Sequence, residues 1–589
     1  MTTAFYPVRA ISDFKDLLMQ SAEIFSERTA FSIKKNGEYV GITYPQFRDD
    51  VFAFGAALNR LFGLECSRVA LIGENSYEWC VSYLAVTCGS GVIVPIDKDL
   101  DFDDIASIIS VSKSKAIIAD EAKTKLLLEK KEQLNDDLII ITMEKPEGGQ
   151  RQVLDPALIQ FSFKGLIEKG KSSAEDLDAY QKISPDPNVM SVLLFTSGTT
   201  GASKGVMLSQ YNICSDITSL AGVVKINPTD KLLTVLPLHH TYQCTLGFLM
   251  MMYSGGNVAF SEGLRYIVQN MQEFKPTLFL TVPLMLEKIH KRIIKAASQK
   301  HGGKLALTFG KAISGVGAAF GVNLKERLFG EIQKNFGGEL RMIITGAAAI
   351  SPTVVKDFQA FGLPVYIGYG LTECSPLVIG NNDRIQLPDS VGVPLPGVEA
   401  KILNPDSDGV GEIAIKGPMV MLGYYENEEA TAEVLQDGWL RTGDLGTVDD
   451  EGNFRIAGRS KNVIVTKTGK NIYPEEVEYH LNINPLIAES MVVAGNEDDD
   501  GDTSVRAKIF PDIEAIKEKL KLQNVTKEQI SKVVQDVIKE VNKKLPRYKN
   551  IKSFDIRESE FVKTTTHKIK RFANILDNDE PETQEEENE

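Results

Sequence analysis

Residues 194 to 213, LFTSGTTGASKGVMLSQYNI, run from a hydrophobic stretch into a loop of glycines, hydroxyl residues and one lysine. That composition suits a grip on a polyphosphate. Gly198, Gly201 and Gly205 let backbone N–H groups come close to phosphate oxygens. Thr196 opens the loop, Ser197, Thr199, Thr200 and Ser203 add short hydroxyl donors, and Lys204 brings positive charge. No G-x-x-x-x-G-K-[ST] can be read there, so this is not the common P-loop. A Gly/Ser/Thr cluster after a strand is usually only a connection. A whole loop of this makeup around a single lysine favours the phosphate-binding reading.

Further stretches stand downstream in a fixed order: ITGAAAI (344–350), YGLTECSP (369–376), GWLRTGDLG (438–446), GRSKNVIVTKTGKNIYPEEVE (458–478) and KTTTHKIKR (563–571). With TSGTTGASKG they resemble, motif by motif, the adenylate-forming (AMP-binding) superfamily, which includes acyl-CoA synthetases, luciferases and the adenylation domains of peptide synthetases. The likeness spans nearly the whole chain.

The resemblance implies ATP-dependent activation of a carboxylic acid to an acyl-AMP, with Mg2+ as cofactor. In it Thr196, Ser197, Gly198, Thr199, Thr200 and Lys204 hold the phosphates, and Glu373 binds Mg2+ as a hard oxygen ligand. Thr372 bonds the α-phosphate, while Tyr369 and Gly370 take the adenine side. Gly346, Ala347 and Ala348 form a small-residue wall facing purine and acyl carbonyl; a plain tight turn would explain them too. Asp444 binds the ribose hydroxyls and Arg459 adds a ribose or phosphate contact, although a lone Asp beside glycine more often serves a turn.

Lys568 is the implied catalytic cation, bridging the attacking carboxylate and the α-phosphate. His567 stands where many relatives carry glycine, with Lys563 and Lys570 close by. Lys461 falls at the family's hinge, about which a small C-terminal domain turns. The segment of Thr468, Gly469 and Lys470 then serves transfer of the acyl group to CoA. His239 and His240 resemble a paired-histidine stretch beside the acyl pocket, with His240 touching the acyl group; a satisfied core histidine fits as well.

The long stretch from Leu264 to Arg341, with VPLMLEKI and FGGELRMIITG at its landmarks, resembles the long-chain fatty acyl-CoA synthetase branch. Leu284, Met285 and Leu286 suit an alkyl tunnel, and core packing accounts for them equally. The expected reaction is therefore fatty acid plus ATP to acyl-AMP and pyrophosphate, then transfer to the CoA thiol. Delivery to an acyl carrier protein is the first alternative. An inactive nucleotide-binding interaction protein of the same fold is the second, and a light-emitting oxidase a distant third.

These groups need elements to carry them. SRVALIGEN (67–75), SGVIVPID (90–97), KAIIAD (115–120) and MSVLLFTS (190–197) read as buried strands, with helical stretches such as YEWCVSYLAVTCG between them. The alternation predicts an α/β fold of layers around a largely parallel sheet, with ligands beyond the carboxyl ends of the strands. From about residue 385 short strands and tight turns suggest a small β subdomain. The expected order is an N-terminal domain over 1–457, a mobile α+β domain over 458–576 and an acidic disordered tail over 577–589. SGVGAAFG (314–321) has a G-x-G pattern without a preceding strand and is discounted as a dinucleotide site.

Bulk properties agree with this organisation. At 589 residues the chain needs more than one core, and 43% hydrophobic with 25% charged residues describes a globular protein. A net charge of -15 argues against nucleic acid or an anionic membrane surface as the main partner. Six cysteines without C-x-x-C spacing fit a reducing, cytoplasmic setting. MTTAFYPVRAISDFKDLLMQS lacks the apolar core of a signal peptide. The apolar part of the 232–261 stretch, Leu246 to Tyr253, is too short to span a bilayer and predicts a buried helix. Peripheral contact at the inner face of a membrane stays open, as does the oligomeric state.

Overall fold

The computed structural model describes residues 2–144, 159–196, 204–299, 325–466, 470–497, 503–563 and 569–576. SGVGAAFG (314–321) and the acidic tail over 577–589 lie outside them. The chain divides into two compact units. One comprises Met1–Leu286, Arg292–Ala400 and Ala414–Arg441; the other comprises Glu287–Lys291, Lys401–Ile413 and Thr442–Glu589. The last change of unit thus comes ahead of residue 458.

The first unit is built on two sheets. The strand runs read from the sequence become Arg68–Ile72, Val92–Ile96, Ala116–Asp120 and Met190–Thr196, all parallel within an eight-stranded sheet. Continuous burial on both faces explains their unbroken apolar character. Its edge turns antiparallel, because Lys204–Ser209 folds back on Met190–Thr196 and Gly423–Tyr424 adds to Lys204–Ser209. The helix Tyr77–Thr87 is buried over nearly its whole surface, so it lacks a polar stripe. The helix Gln210–Ala221 starts at a reciprocal cap: Ser209 Oγ accepts from the Asn212 N–H at 3.1 Å, and Asn212 Oδ1 accepts from the Ser209 N–H at 2.9 Å.

The second sheet has nine strands. Its centre is parallel, with Lys231–Thr234, Leu278–Thr281, Met342–Gly346 and Val365–Gly370 adjoining in that order. Leu377–Gly380 then runs antiparallel beside Val365–Gly370. Gly346 pairs with Gly368 and Gly368 with Gly380, a row of three glycines across adjoining strands. The stretch examined as a membrane candidate is buried: Tyr242–Leu249 winds as a π-helix and Met250–Ser254 continues it as α-helix to Gly255. Among the described residues no helix is long and apolar enough to cross a membrane. The six cysteines are free, five of them buried.

In the second unit Ile487–Glu497 pairs antiparallel with Thr503–Pro511, which pairs parallel with Ile551–Ile556. The helix Lys527–Asn542 begins at a Thr526–Gln529 capping box and buries Val533, Val534, Val537, Ile538 and Val541 along one face. Those side chains join Val477, Leu481, Val492, Val505 and Ile509 in one core. Each such burial stabilises by roughly 1.5–3 kcal/mol.

Candidate active site

Thr196 and Lys204 are register partners across the hairpin that opens and closes the glycine-rich loop. The Thr196 hydroxyl lies 3.4 Å from the Lys204 carbonyl, which it can reach as donor. Ser197, Gly198, Thr199 and Thr200 lie outside the described residues. The loop therefore returns into a strand and not into a helix N-terminus, which sets it apart physically from a P-loop.

Beside that hairpin stands a residue the sequence reading did not single out. The Lys204 ammonium lies 4.8 Å from the centre of the Tyr424 ring, a cation–π distance. The Tyr424 hydroxyl donates to Glu373 Oε1 at 2.9 Å. Two backbone bonds fix the strand that presents Tyr424: the Tyr425 N–H donates to the Gly205 carbonyl at 2.7 Å, and the Met421 N–H to the Glu373 carbonyl at 2.8 Å. Lys204, Tyr424 and Glu373 thus form one row that links the eight-stranded sheet to the end of the nine-stranded one. Only a paired aromatic in GYY marked Tyr424 in the sequence, and its partners lie far away in the chain.

Tyr369 and Gly370 end the strand Val365–Gly370, and Thr372 and Glu373 sit in the short 3-10 turn that follows. Tyr369 is buried, while Gly370, Thr372 and Glu373 are half-buried. A side chain on Gly370 would collide with the Pro376 carbonyl oxygen, so the tight return from Thr372 to Pro376 needs glycine there. Gly346 ends the neighbouring strand, and a Cβ there would stand 2.7 Å from the Gly368 carbonyl oxygen. Ala347 follows in a left-handed conformation (φ 71°), with Ala348 exposed. Gly346, Ala347, Ala348, Tyr369, Gly370, Thr372 and Glu373 therefore share the carboxyl ends of two adjacent parallel strands, where α/β sheets bind ligands.

The rings of His239 and His240 lie against each other with centres 4.1 Å apart and planes tilted by 47°. His239 is buried with its Nε2 3.6 Å from Asp97 Oδ2. Burial, helped by the nearby Lys98 charge, brings its pKa from 6.5 down to about 3, so the ring is neutral near pH 7. A small cavity opens against His239, bounded by Pro95, Leu194, Leu238, Thr241 and Thr245. His240 is only partly covered. Leu286 is fully buried, with Leu284 and Met285 half-buried on the same helix, Pro283–Gln299.

The second unit holds the remaining residues. Asp444 and Arg459 are register partners on antiparallel strands, joined by a 2.8 Å ion pair from Arg459 Nε to Asp444 Oδ1. Asp444 is buried, and its N–H donates to the Thr442 hydroxyl at 3.1 Å. Lys461 is exposed in the 3-10 turn Ser460–Asn462. Lys470 is exposed with its ammonium 4.6 Å from the centre of the Tyr548 ring, while Thr468 and Gly469 lie outside the described residues. Lys568 also lies outside them. Of its neighbours, Lys563 is committed to an ion pair with Glu489 and Lys570 is exposed.

Residues 18–425 match the AMP-binding enzyme family. The chain is 32% identical over 441 residues to long-chain-fatty-acid–CoA ligase 6 of Mus musculus, a match that covers 70% of this chain and 61% of that protein. It is 26% identical over 545 residues to a long-chain-fatty-acid–[acyl-carrier-protein] ligase of Arabidopsis thaliana, over 82% of this chain and 74% of that one. The chain thus spans less than two thirds of the mouse ligase. Among solved structures it resembles the anthranilate CoA ligase AuaEII in complex with anthranoyl-AMP, with a TM-score of 0.73, 21% identity and 98% of both chains covered.

Proposed function

The chain belongs to the AMP-binding enzyme family and has the fold of the adenylate-forming enzymes, and from that premise we propose that it is a long-chain fatty acid–CoA ligase. ATP and fatty acid give acyl-AMP and pyrophosphate; CoA then takes the acyl group and releases AMP. The observation that carries this reading is the row of Lys204, Tyr424 and Glu373 at the close of the glycine-rich loop.

A carboxylate resists a thiol because its carbonyl is electron-rich and oxide leaves poorly. Conversion to a mixed anhydride with AMP supplies a good leaving group. Forming that anhydride presses a carboxylate against a triphosphate, so the site must neutralise gathering negative charge. Lys204 and the loop from Thr196 hold the outer phosphates. Thr372 bonds the α-phosphate, and Tyr369, Gly370 and the Gly346–Ala348 turn receive the adenine. Asp444 takes the ribose hydroxyls, held in place by Arg459. Lys568 bridges carboxylate and α-phosphate.

Mg2+ fits the donors present. Among the described residues no group of three or more His, Cys, Asp or Glu could hold an ion. Glu373, in the short turn after the strand Val365–Gly370, offers a hard carboxylate oxygen and would hold Mg2+ together with phosphate oxygens and water, a usual arrangement for this ion. Bound there, the ion would offset charge on the phosphates. The thioester step uses CoA and the Thr468–Lys470 segment, with Lys461 as the pivot. We assign 1–457 to the nucleotide domain, 458–576 to the mobile domain and 577–589 to a disordered tail, in a cytoplasmic protein that can touch the inner face of a membrane.

Pyrophosphate release across fatty acids of graded length, with CoA, with acyl carrier protein or with neither, tests the proposal. CoA-dependent turnover best with long chains is expected. Preference for acetate or aromatic acids would overturn the substrate class, and preference for the carrier protein would overturn the acceptor. Failure to exchange labelled pyrophosphate into ATP with any acid would overturn the activity itself.

A further inference from the structure

The helix Gln210–Ala221, which follows the strand Lys204–Ser209 directly, buries two faces of different kinds. Ile213, Ile217 and Leu220 recur at helical spacing as an ordinary apolar face. Asn212, Asp216 and Ser219 recur at the same spacing beside it, also buried and all polar. A buried polar group is costly unless bonded, so the partners of this second face carry information. Each of the three reaches a main-chain group far away in the chain. Asn212 Nδ2 donates to the Pro418 carbonyl at 2.7 Å and to the Val420 carbonyl at 2.9 Å. Asp216 Oδ2 accepts from the Leu377 N–H at 3.2 Å, and the Ser219 hydroxyl donates to the Pro396 carbonyl at 2.7 Å.

Asn212 holds the segment nearest the chemistry. The carbonyl between its two partners, that of Met419, accepts from the Ser375 hydroxyl at 2.9 Å. The Met421 N–H then bonds the Glu373 carbonyl, and the Leu422 N–H the Met207 carbonyl at 3.0 Å. Gly423 and Tyr424 pair with Met207 and Val206. The segment 418–420 is thus clamped between the helix and the turn of Glu373, and the chain leaving the clamp sets the Tyr424 ring beside Lys204 and Glu373. All these residues lie in the first unit. The clamp calls for asparagine. Both amide hydrogens are used on carbonyls, while Oδ1 accepts from the Ser209 N–H at 2.9 Å to cap the helix. Capping alone would be served as well by aspartate, which has no donor and would set an acceptor against two more.

We propose that Asn212 is a positioning residue for the phosphate and metal end of the site: its amide holds the segment 418–420 and thereby the place of the Tyr424 ring between Lys204 and Glu373. The inference rests on the reading of Lys204 and Glu373 as the groups that meet phosphate and Mg2+. Binding groups keep their geometry only as well as the residues behind them are locked, and this row has its lock in one buried amide.

The test uses the full chain and two measurements: calorimetric binding of Mg·ATP without fatty acid, and pyrophosphate–ATP exchange with a long-chain acid. Asn212→Asp, which keeps the cap and loses both donors, is expected to raise the Kd for Mg·ATP roughly 10-fold. The KM for ATP in exchange rises with it, and the KM for fatty acid does not. Ser219→Ala loosens the same helix at its far end and leaves the Kd unchanged. The double variant of Asn212→Asp with Tyr424→Ala binds no more weakly than Tyr424→Ala alone. Unchanged affinity in Asn212→Asp, an equal loss in Ser219→Ala, or an additive double variant overturns the positioning role while leaving Lys204 and Glu373 in place. Undiminished Mg·ATP binding in Lys204→Ala overturns the underlying reading and the inference with it. If Asn212→Asp does not fold, Ser375→Ala releases the Met419 carbonyl, the other hold on the segment. A weakened Kd there supports the clamp, and a normal one overturns it.

Discussion

Glu373 and Tyr424 are joined by a 2.9 Å hydrogen bond that connects the carboxylate after one sheet with a ring at the edge of the other. The same ring lies under the Lys204 ammonium. The two charges are thus spaced by an aromatic ring and do not collapse into a salt bridge, which would neutralise both.

Tyr424→Phe keeps the ring under Lys204 and removes the bond to Glu373. Pyrophosphate release should fall about 10-fold, the scale of one hydrogen bond to a charged group, with a raised magnesium requirement. Tyr424→Ala should fall further. Titrating Mg2+ at saturating ATP checks both; unchanged magnesium dependence in Tyr424→Phe would separate Tyr424 from any metal role.

Asp444→Asn leaves the strand pairing intact and removes the charge that Arg459 holds. The KM for ATP is expected to rise roughly 10-fold while the KM for fatty acid stays put. An equal rise in both would argue for general damage to the second unit.

His239 is held neutral when folded, at about 3 against an ordinary 6.5. Between those values the unfolded chain binds a proton that the folded chain refuses. The stability from this group is complete above pH 6.5 and is lost as pH falls from there towards 3. His239→Asn should flatten that part of the stability profile, read as urea midpoints at a series of pH values. Asp97, 3.6 Å away, and Lys98 face the same ring, so Asp97→Asn should deepen the acid sensitivity by removing a favourable neighbour for the charged form.

Gly370→Ala drives a methyl group into the Pro376 carbonyl. Destabilisation of about 1–3 kcal/mol is expected, the usual cost of overpacking, together with lost adenylation. Normal thermal stability with lost activity would show that the turn relaxes without harm to the fold.

Much of the first sheet was legible because strands buried on both faces write unbroken apolar runs, as in Arg68–Ile72 and Val92–Ile96. The stretch from Thr196 to Lys204 was legible as a connection because glycine and small hydroxyl residues cluster there, and the structure closes it between two paired strands. Tyr424 was not, since its value comes from partners brought up by sheet pairing and not by sequence spacing. The π winding of Tyr242–Leu249 left no mark either, because residues buried on all sides carry no periodic signal. Nor could composition reveal that Lys563, a near neighbour of Lys568, is already spent on Glu489.

The glycine row of Gly346, Gly368 and Gly380 runs across three adjoining strands and is packed over: a Cβ at Gly368 would stand 2.6 Å from the Leu377 side chain, and one at Gly346 2.7 Å from the Gly368 carbonyl oxygen. The first side-chain atom at either position meets a wall of neighbouring atoms, so this part of the scaffold admits no exchange. Variation in what the molecule accepts must then arise elsewhere, in parts lined by side chains, where exchange of one residue for another can alter fit without disturbing the sheet.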